Sequence, residues 1–248
     1  MHTSRRGTAD DDGWTSEVSS GLALAGFLSL VFVAFTLLAM GPLAKFDAYF
    51  NLSPVPEGWV PFLHALDRIG QRAVCLPILA VATYLVCRRQ GTWRPALLAG
   101  ASVFMLNLMV LLLKLGLGRE GPVTADPSFF SGGMAYPSGH SSNIVLVYGL
   151  VAYLFSRYHS PGRRGRVLLW GIVVVLSMTM VVTSVSLDWH WFADLVAGLL
   201  VGGIVLQVTV AVDYAVPAVG FVHGWRAGLR DLLVAVRPGK SQRPEGSA

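Results

Sequence analysis

Apolar residues gather into six stretches, roughly 20–42, 73–87, 96–113, 141–156, 167–187 and 193–212, with shorter polar connections between them. A helix needs about 20 mostly apolar residues to cross the roughly 30 Å hydrocarbon core of a bilayer. Most of these stretches come close to that length; the second is short and contains Pro77. Backbone polar groups in lipid must be paired within each crossing segment, which favours helices. The pattern therefore predicts an all-α polytopic membrane protein, a bundle of six transmembrane helices over residues 19–214. Residues 1–18 are polar and expected to be disordered.

Two further stretches carry an apolar stripe of helical spacing beside charge. Between the first two spans, Trp59, Phe62, Leu63, Leu66 and Ile69 recur near that spacing, with His64, Asp67 and Arg68 on the other side. An external helix lying in the membrane interface is expected there. Within residues 215–248, Val222, Trp225, Leu229, Leu232, Leu233 and Val236 form a stripe flanked by Arg226, Arg230 and Arg237. This predicts a basic amphipathic tail on an anionic leaflet; an extension of the last span packing on the bundle is the alternative.

Composition narrows the class. The chain has 248 residues, of which 54% are hydrophobic and 13% charged, with a mean hydropathy of +0.58. A soluble domain of this length has no use for so much apolar surface. The net charge of +5 does not point to nucleic acid, because the basic residues cluster in loops rather than along one face. Cys75 and Cys87 stand twelve residues apart in one apolar run, about 18 Å on a helix, so they do not pair. Neither a CxxC motif nor a Cys/His cluster indicates zinc. Arg5 and Arg6 precede an acidic run and then a long apolar run with no small-residue cleavage site after it, so the first span is expected to be retained.

Lys and Arg counting sets the orientation. With six spans, the side bearing both termini holds fourteen basic residues. The opposite side holds five: Lys45, Arg68, Arg72, Lys114 and Arg119. Both termini are thus expected in the cytoplasm of a cell membrane protein, and the chemistry-bearing loops outside.

Three of those loops carry the candidate chemistry. In Asp188-Trp189-His190-Trp191-Phe192-Ala193-Asp194, His190 and Asp194 stand four apart and share a helix face. A carboxylate there can hold one imidazole nitrogen and leave the other free to attack. An aromatic-belt histidine between two tryptophans is the plainer alternative, and a metal set of Asp188, His190 and Asp194 a third. In Pro137-Ser138-Gly139-His140, Ser138 can cap the fourth span. Gly139 permits close backbone approach, and His140 stands in the first turn, placed to give a proton to a departing oxygen. Free N–H groups at such a helix start attract anions. A plain cap with an interfacial histidine is the alternative. Lys114 ends the third span and Arg119 follows five residues on. Arg offers a bidentate fork to phosphate and Lys a point charge, although a span-end Lys can simply snorkel and Glu120 can pair with either.

Taken together these motifs resemble the type 2 phosphatidic acid phosphatase family of integral-membrane lipid phosphate phosphatases. That family carries Lys-x6-Arg-Pro, then Pro-Ser-Gly-His, then Ser-Arg-x5-His-x3-Asp. The second motif matches in full at Pro137–His140, and the third at His190 and Asp194. Two arginines are absent: Gly121 and Ser184 stand at their places. Arg119, two residues before Gly121, is expected to take over one role, because many members also carry Gly-Arg there. The resemblance implies that His190 attacks phosphorus to form a phosphohistidine, oriented by Asp194. His140 would protonate the leaving group and then activate water. Lys114, Arg119, Ser138 and Gly139 would hold the phosphoryl oxygens, with no metal and no cofactor. The implied substrate is a lipid phosphate or polyprenyl diphosphate in the outer leaflet. A catalytically weakened lipid-phosphate binder or transporter on the same fold is the alternative. A channel is disfavoured because the midspan regions carry almost no charge; Asn107, the main polar exception, is read as a helix–helix contact.

Overall fold

A computed structural model describes residues 8–50 and 55–216. Among these residues the chain is helical with no strands, as the apolar pattern requires. Nine α-helices follow in order: α1 Thr8–Ala39, α2 Leu43–Phe50, α3 Val60–Asp67, α4 Arg72–Gln90, α5 Arg94–Leu117, α6 Gly139–Asn143, α7 Gly149–Tyr158, α8 Arg163–Ser186 and α9 Phe192–Ala215. Five helical segments are long and apolar enough to cross a bilayer: Thr15–Ala39, Arg72–Gln90, Arg94–Thr124, Arg163–Ser186 and Phe192–Ala215. The remaining apolar stretch is also helical, but a π-helical segment at Ile144–Tyr148 joins α6 to α7. The protein is an integral membrane protein. Its outward faces are apolar, with Leu30 72%, Leu112 59% and Val175 62% exposed, surface that suits acyl chains better than water.

Several expectations need correction. Helix α1 reaches back to Thr8, into the segment read as disordered, because the charged Asp10–Asp12 run joins the helix ahead of the apolar stretch. Helix α2 follows in the connection after the first span, for which the apolar pattern predicted no element. The helix expected between the first two spans is present as α3 with short 3₁₀ turns before and after it, but Asp67 is fully buried rather than on a polar outer face. Helix α3 packs against α8, which turns Asp67 inward. Asn107 donates to the Val103 carbonyl of its own helix at 2.7 Å and does not bridge two helices. The expected amphipathic tail lies outside the described residues from 217 onward.

Helix α9 is the axis on which the rest is assembled. Helix α1 runs along it, and α5, α6 and α8 also pack on it. The core joins Phe32 of α1, Leu79 of α4, Leu106 of α5, Leu146 and Leu150 of the fourth apolar stretch, and Val201 and Leu206 of α9. Glycines let α6 approach α9 at backbone distance. A Cβ on Gly198 would sit 2.5 Å from the Ser138 carbonyl oxygen, and one on Gly202 would sit 2.6 Å from that of Ser142. This contact seats the Ser138–His140 segment beside the start of α9, where His190 and Asp194 lie.

Candidate active site at the start of the ninth helix

The turn after α5 decides where Arg119 goes. Gly118 ends that helix in the left-handed region (φ +49°), donating its N–H to the Lys114 carbonyl. A Cβ at Gly118 would also come within 3.2 Å of the Gly132 nitrogen, so a side chain there would be both strained and crowded. The turn sends Arg119 into the protein, where it is fully buried. Its Nη1 donates to Asp194 Oδ1 at 2.7 Å and its Nη2 to Asp47 Oδ2 at 2.6 Å. Nε donates to the Pro127 carbonyl at 2.9 Å. The guanidinium lies against the rings of Phe129 and Trp191, 4.8 and 5.6 Å from their centroids. Arg119, expected to clamp phosphate, is instead a buried strut between two carboxylates.

Asp194 is the hub of this network. Beyond the Arg119 bond at Oδ1, its Oδ2 accepts the Trp191 backbone N–H at 3.0 Å and faces His190 Nδ1 at 3.3 Å. Its carbonyl accepts the Ser138 N–H at 2.9 Å, tying the second motif directly to the third. Asp47 Oδ1 accepts the Ala193 N–H at 2.9 Å, so α2 braces the first turn of α9. Burial pushes the Asp47 carboxyl above its usual range, and the Arg119 and Ala193 hydrogen bonds pull it back down. The His190 side chain is 14% exposed. With Nδ1 turned to Asp194, Nε2 is the nitrogen left for chemistry.

The second histidine is more open. Its side chain is 32% exposed, and Nε2 lies 3.5 Å from Asp67 Oδ2. Ser138 caps α6 as expected, its side chain accepting the Ser141 N–H, but it is fully buried, so its hydroxyl serves the helix. Gly139 has free space where a Cβ would stand, leaving its backbone approachable. Lys114 is half-buried and donates to the Met134 carbonyl. Of the four residues expected to hold phosphate, Lys114 is half-buried and Gly139 has an open backbone, whereas Arg119 and Ser138 are fully buried.

Three residues that sequence reasoning did not assign to the site join it. Asp47 and Asp67 are the buried carboxylates just described. The third is Arg72, exposed at the start of α4, whose positive charge is felt at both His140 and Lys114. Its place among the few basic residues on the side depleted of positive charge was the available hint. Asp188, His190 and Asp194 do not form a metal set: among the described residues no three His, Cys, Asp or Glu side chains are disposed to hold an ion.

With this geometry in place, the relationships of the chain are clear. Residues 95–216, which carry all three motifs, match the PAP2 superfamily, and that region belongs to it. The fold resembles the crystal structure of the first transmembrane PAP2 type phosphatidylglycerolphosphate phosphatase from Bacillus subtilis. That match has a TM-score of 0.63 at 17% identity and covers 78% of this chain and 98% of the other. No curated protein matches the chain. The protein thus has the membrane-embedded helical fold of PAP2 phosphatases.

Proposed function

We propose that this protein is a membrane phosphatase that hydrolyses a lipid phosphate or polyprenyl diphosphate at the outer membrane face through a phosphohistidine on His190. One observation carries the reading: Asp194 faces His190 Nδ1 while its other oxygen is locked by a buried arginine. This contact supports a ring held through Nδ1, with Nε2 as the nucleophile.

In the first step Nε2 attacks phosphorus, and the bond from phosphorus to the leaving oxygen breaks. His140 delivers its proton to that oxygen. In the second step water attacks the phosphohistidine; His140 takes the water's proton, the P–N bond breaks, and phosphate leaves. Lys114, Arg72 and the Gly139 backbone balance the charge on the phosphoryl oxygens. Arg119 and Ser138 act one contact further away, by holding Asp194 and the start of α6. No step requires a metal ion.

Phosphate release by purified protein from polyprenyl diphosphate, phosphatidate and phosphatidylglycerophosphate, with EDTA present, tests the reading. Wild type should release phosphate from at least one lipid and His190→Ala from none. Binding without release would favour the lipid-phosphate binder that the missing arginines at Gly121 and Ser184 suggest. For orientation, cysteines at Thr124 and Ser160 in a Cys75/Cys87-free background should report opposite sides to an impermeant thiol reagent. Thr124 should be the one labelled in intact cells, as the charge asymmetry requires.

A further inference from the structure

Asp67 poses a physical problem that the proposed reaction leaves unsolved. It is a fully buried carboxylate, and among the described residues its Oδ1 has no hydrogen-bond partner. Its Oδ2 has only the Gln71 amide at 3.4 Å and His140 Nε2 at 3.5 Å. Removing a carboxylate from water with so little compensation is strongly unfavourable unless a cation stands beside it.

The turn that presents Asp67 is fastened to the helix bearing His140. Gly70 lies so close that a Cβ would meet Met180 Cε at 2.7 Å and His140 Cβ at 3.2 Å. Tyr148 Oη donates to the Ile69 carbonyl at 3.0 Å, and Asn143 Nδ2 to that of Gly70 at 3.4 Å. After Asp67, the charged or titratable groups acting most strongly on His140 are His190, Lys114 and Arg72. Burial weighs most against a positive imidazole and each of these adds to it, so that His140 sits below its usual range, while Asp67 opposes them.

We infer that Asp67 is the positioning carboxylate of His140, so that the site holds two His–Asp pairs: one faces the nucleophile and the other holds the proton donor. This rests on the phosphatase reading. Asp67 touches no reacting atom; it acts through His140 by favouring the imidazolium that protonates the leaving oxygen.

Two measurements on the full-length protein in nanodiscs test it. The first is NMR titration of the His140 ring in wild type and Asp67→Asn, with His140→Gln for assignment. Loss of the opposite charge should lower the His140 midpoint by about one pH unit; an unmoved midpoint would overturn the inference whether or not the protein is a phosphatase. The second compares kcat/KM for an alkyl lipid phosphate and for p-nitrophenyl phosphate. Leaving-group protonation matters for an alkoxide and little for p-nitrophenolate. Asp67→Asn should therefore depress the alkyl substrate about tenfold more than the aryl one, and its alkaline limb should begin at lower pH, with Asp67→Glu partly restoring both. Because the ratio is taken within one preparation, misfolded protein does not alter it. Equal losses on the two substrates with an unmoved limb would reduce Asp67 to a structural role. Failure of wild type to turn over either substrate would sink the phosphatase reading alone.

Discussion

The two ends of α9 each bury an aspartate against an arginine, yet they do different work. Asp194, near its start, is held by Arg119 and faces His190. Asp213, near its end and about 28 Å away by helix rise, pairs with Arg94 at 2.9 Å. It also accepts the Tyr153 hydroxyl at 2.7 Å, with Tyr158 Oη at 3.3 Å. Both clusters tie distant parts of the chain together. Among the described residues, the first cluster includes a histidine, with Nδ1 turned to the aspartate, whereas the second joins its aspartate to an arginine and two tyrosine hydroxyls. A buried ion pair is thus a fastening device in itself, and becomes part of a site when it fixes a group that can react.

Changes to the reactive group should separate the two ends most sharply. Asp194→Asn alters the carboxylate that faces His190 Nδ1, and on the proposed mechanism should lower kcat by roughly 10³- to 10⁴-fold, by analogy with hydrolase triads. His190→Ala should leave no measurable turnover. Steady-state kinetics on protein that elutes as a single species in detergent would check both.

Arg119→Ala comes next. Its removal leaves Asp47 and Asp194 buried without their cation, a loss of about 3–5 kcal/mol in stability. A thermal melt should register this, together with a fall in kcat. A clamp that merely gripped phosphate would raise KM and leave the melt unchanged. Asp213→Asn makes the matching test at the other end: it should destabilise by about 3 kcal/mol while kcat per folded molecule stays at the wild-type level. A smaller effect is expected from Arg72→Ala, which should raise KM about tenfold, the equivalent of one charge-assisted hydrogen bond, without lowering the melting temperature.

How much of this was legible in the chain follows from the range of each interaction. The six apolar stretches and the cap at Ser138 are local signals, and all are helical or helix-starting as read. The i, i+4 pairing of His190 with Asp194 is local too, although His190 stands in the bend before α9 and not on the helix face expected for it. Asp47 and Asp67 were not legible, because each meets its partner across a long sequence separation: Asp47 reaches Ala193, and Asp67 reaches His140. In sequence they are ordinary charges in a polar connection. Arg119 misled for the same reason. Its position beside the first motif suggested phosphate, while its destination depends on the Gly118 turn and on two carboxylates supplied by other helices. The π-helical segment at Ile144–Tyr148 leaves the apolar pattern intact and so had no sequence signature.

The central claim is that the wired end of α9 makes His190 a nucleophile. Rapid acid-free quenching after mixing with a phosphorus-radiolabelled lipid phosphate, followed by peptide mapping, tests it directly. The label should be acid-labile and alkali-stable, should map to His190, and should build up in His140→Ala supplied with a good leaving group. Label on any other residue, or wild-type hydrolysis without a covalent intermediate at any quench time, would contradict it.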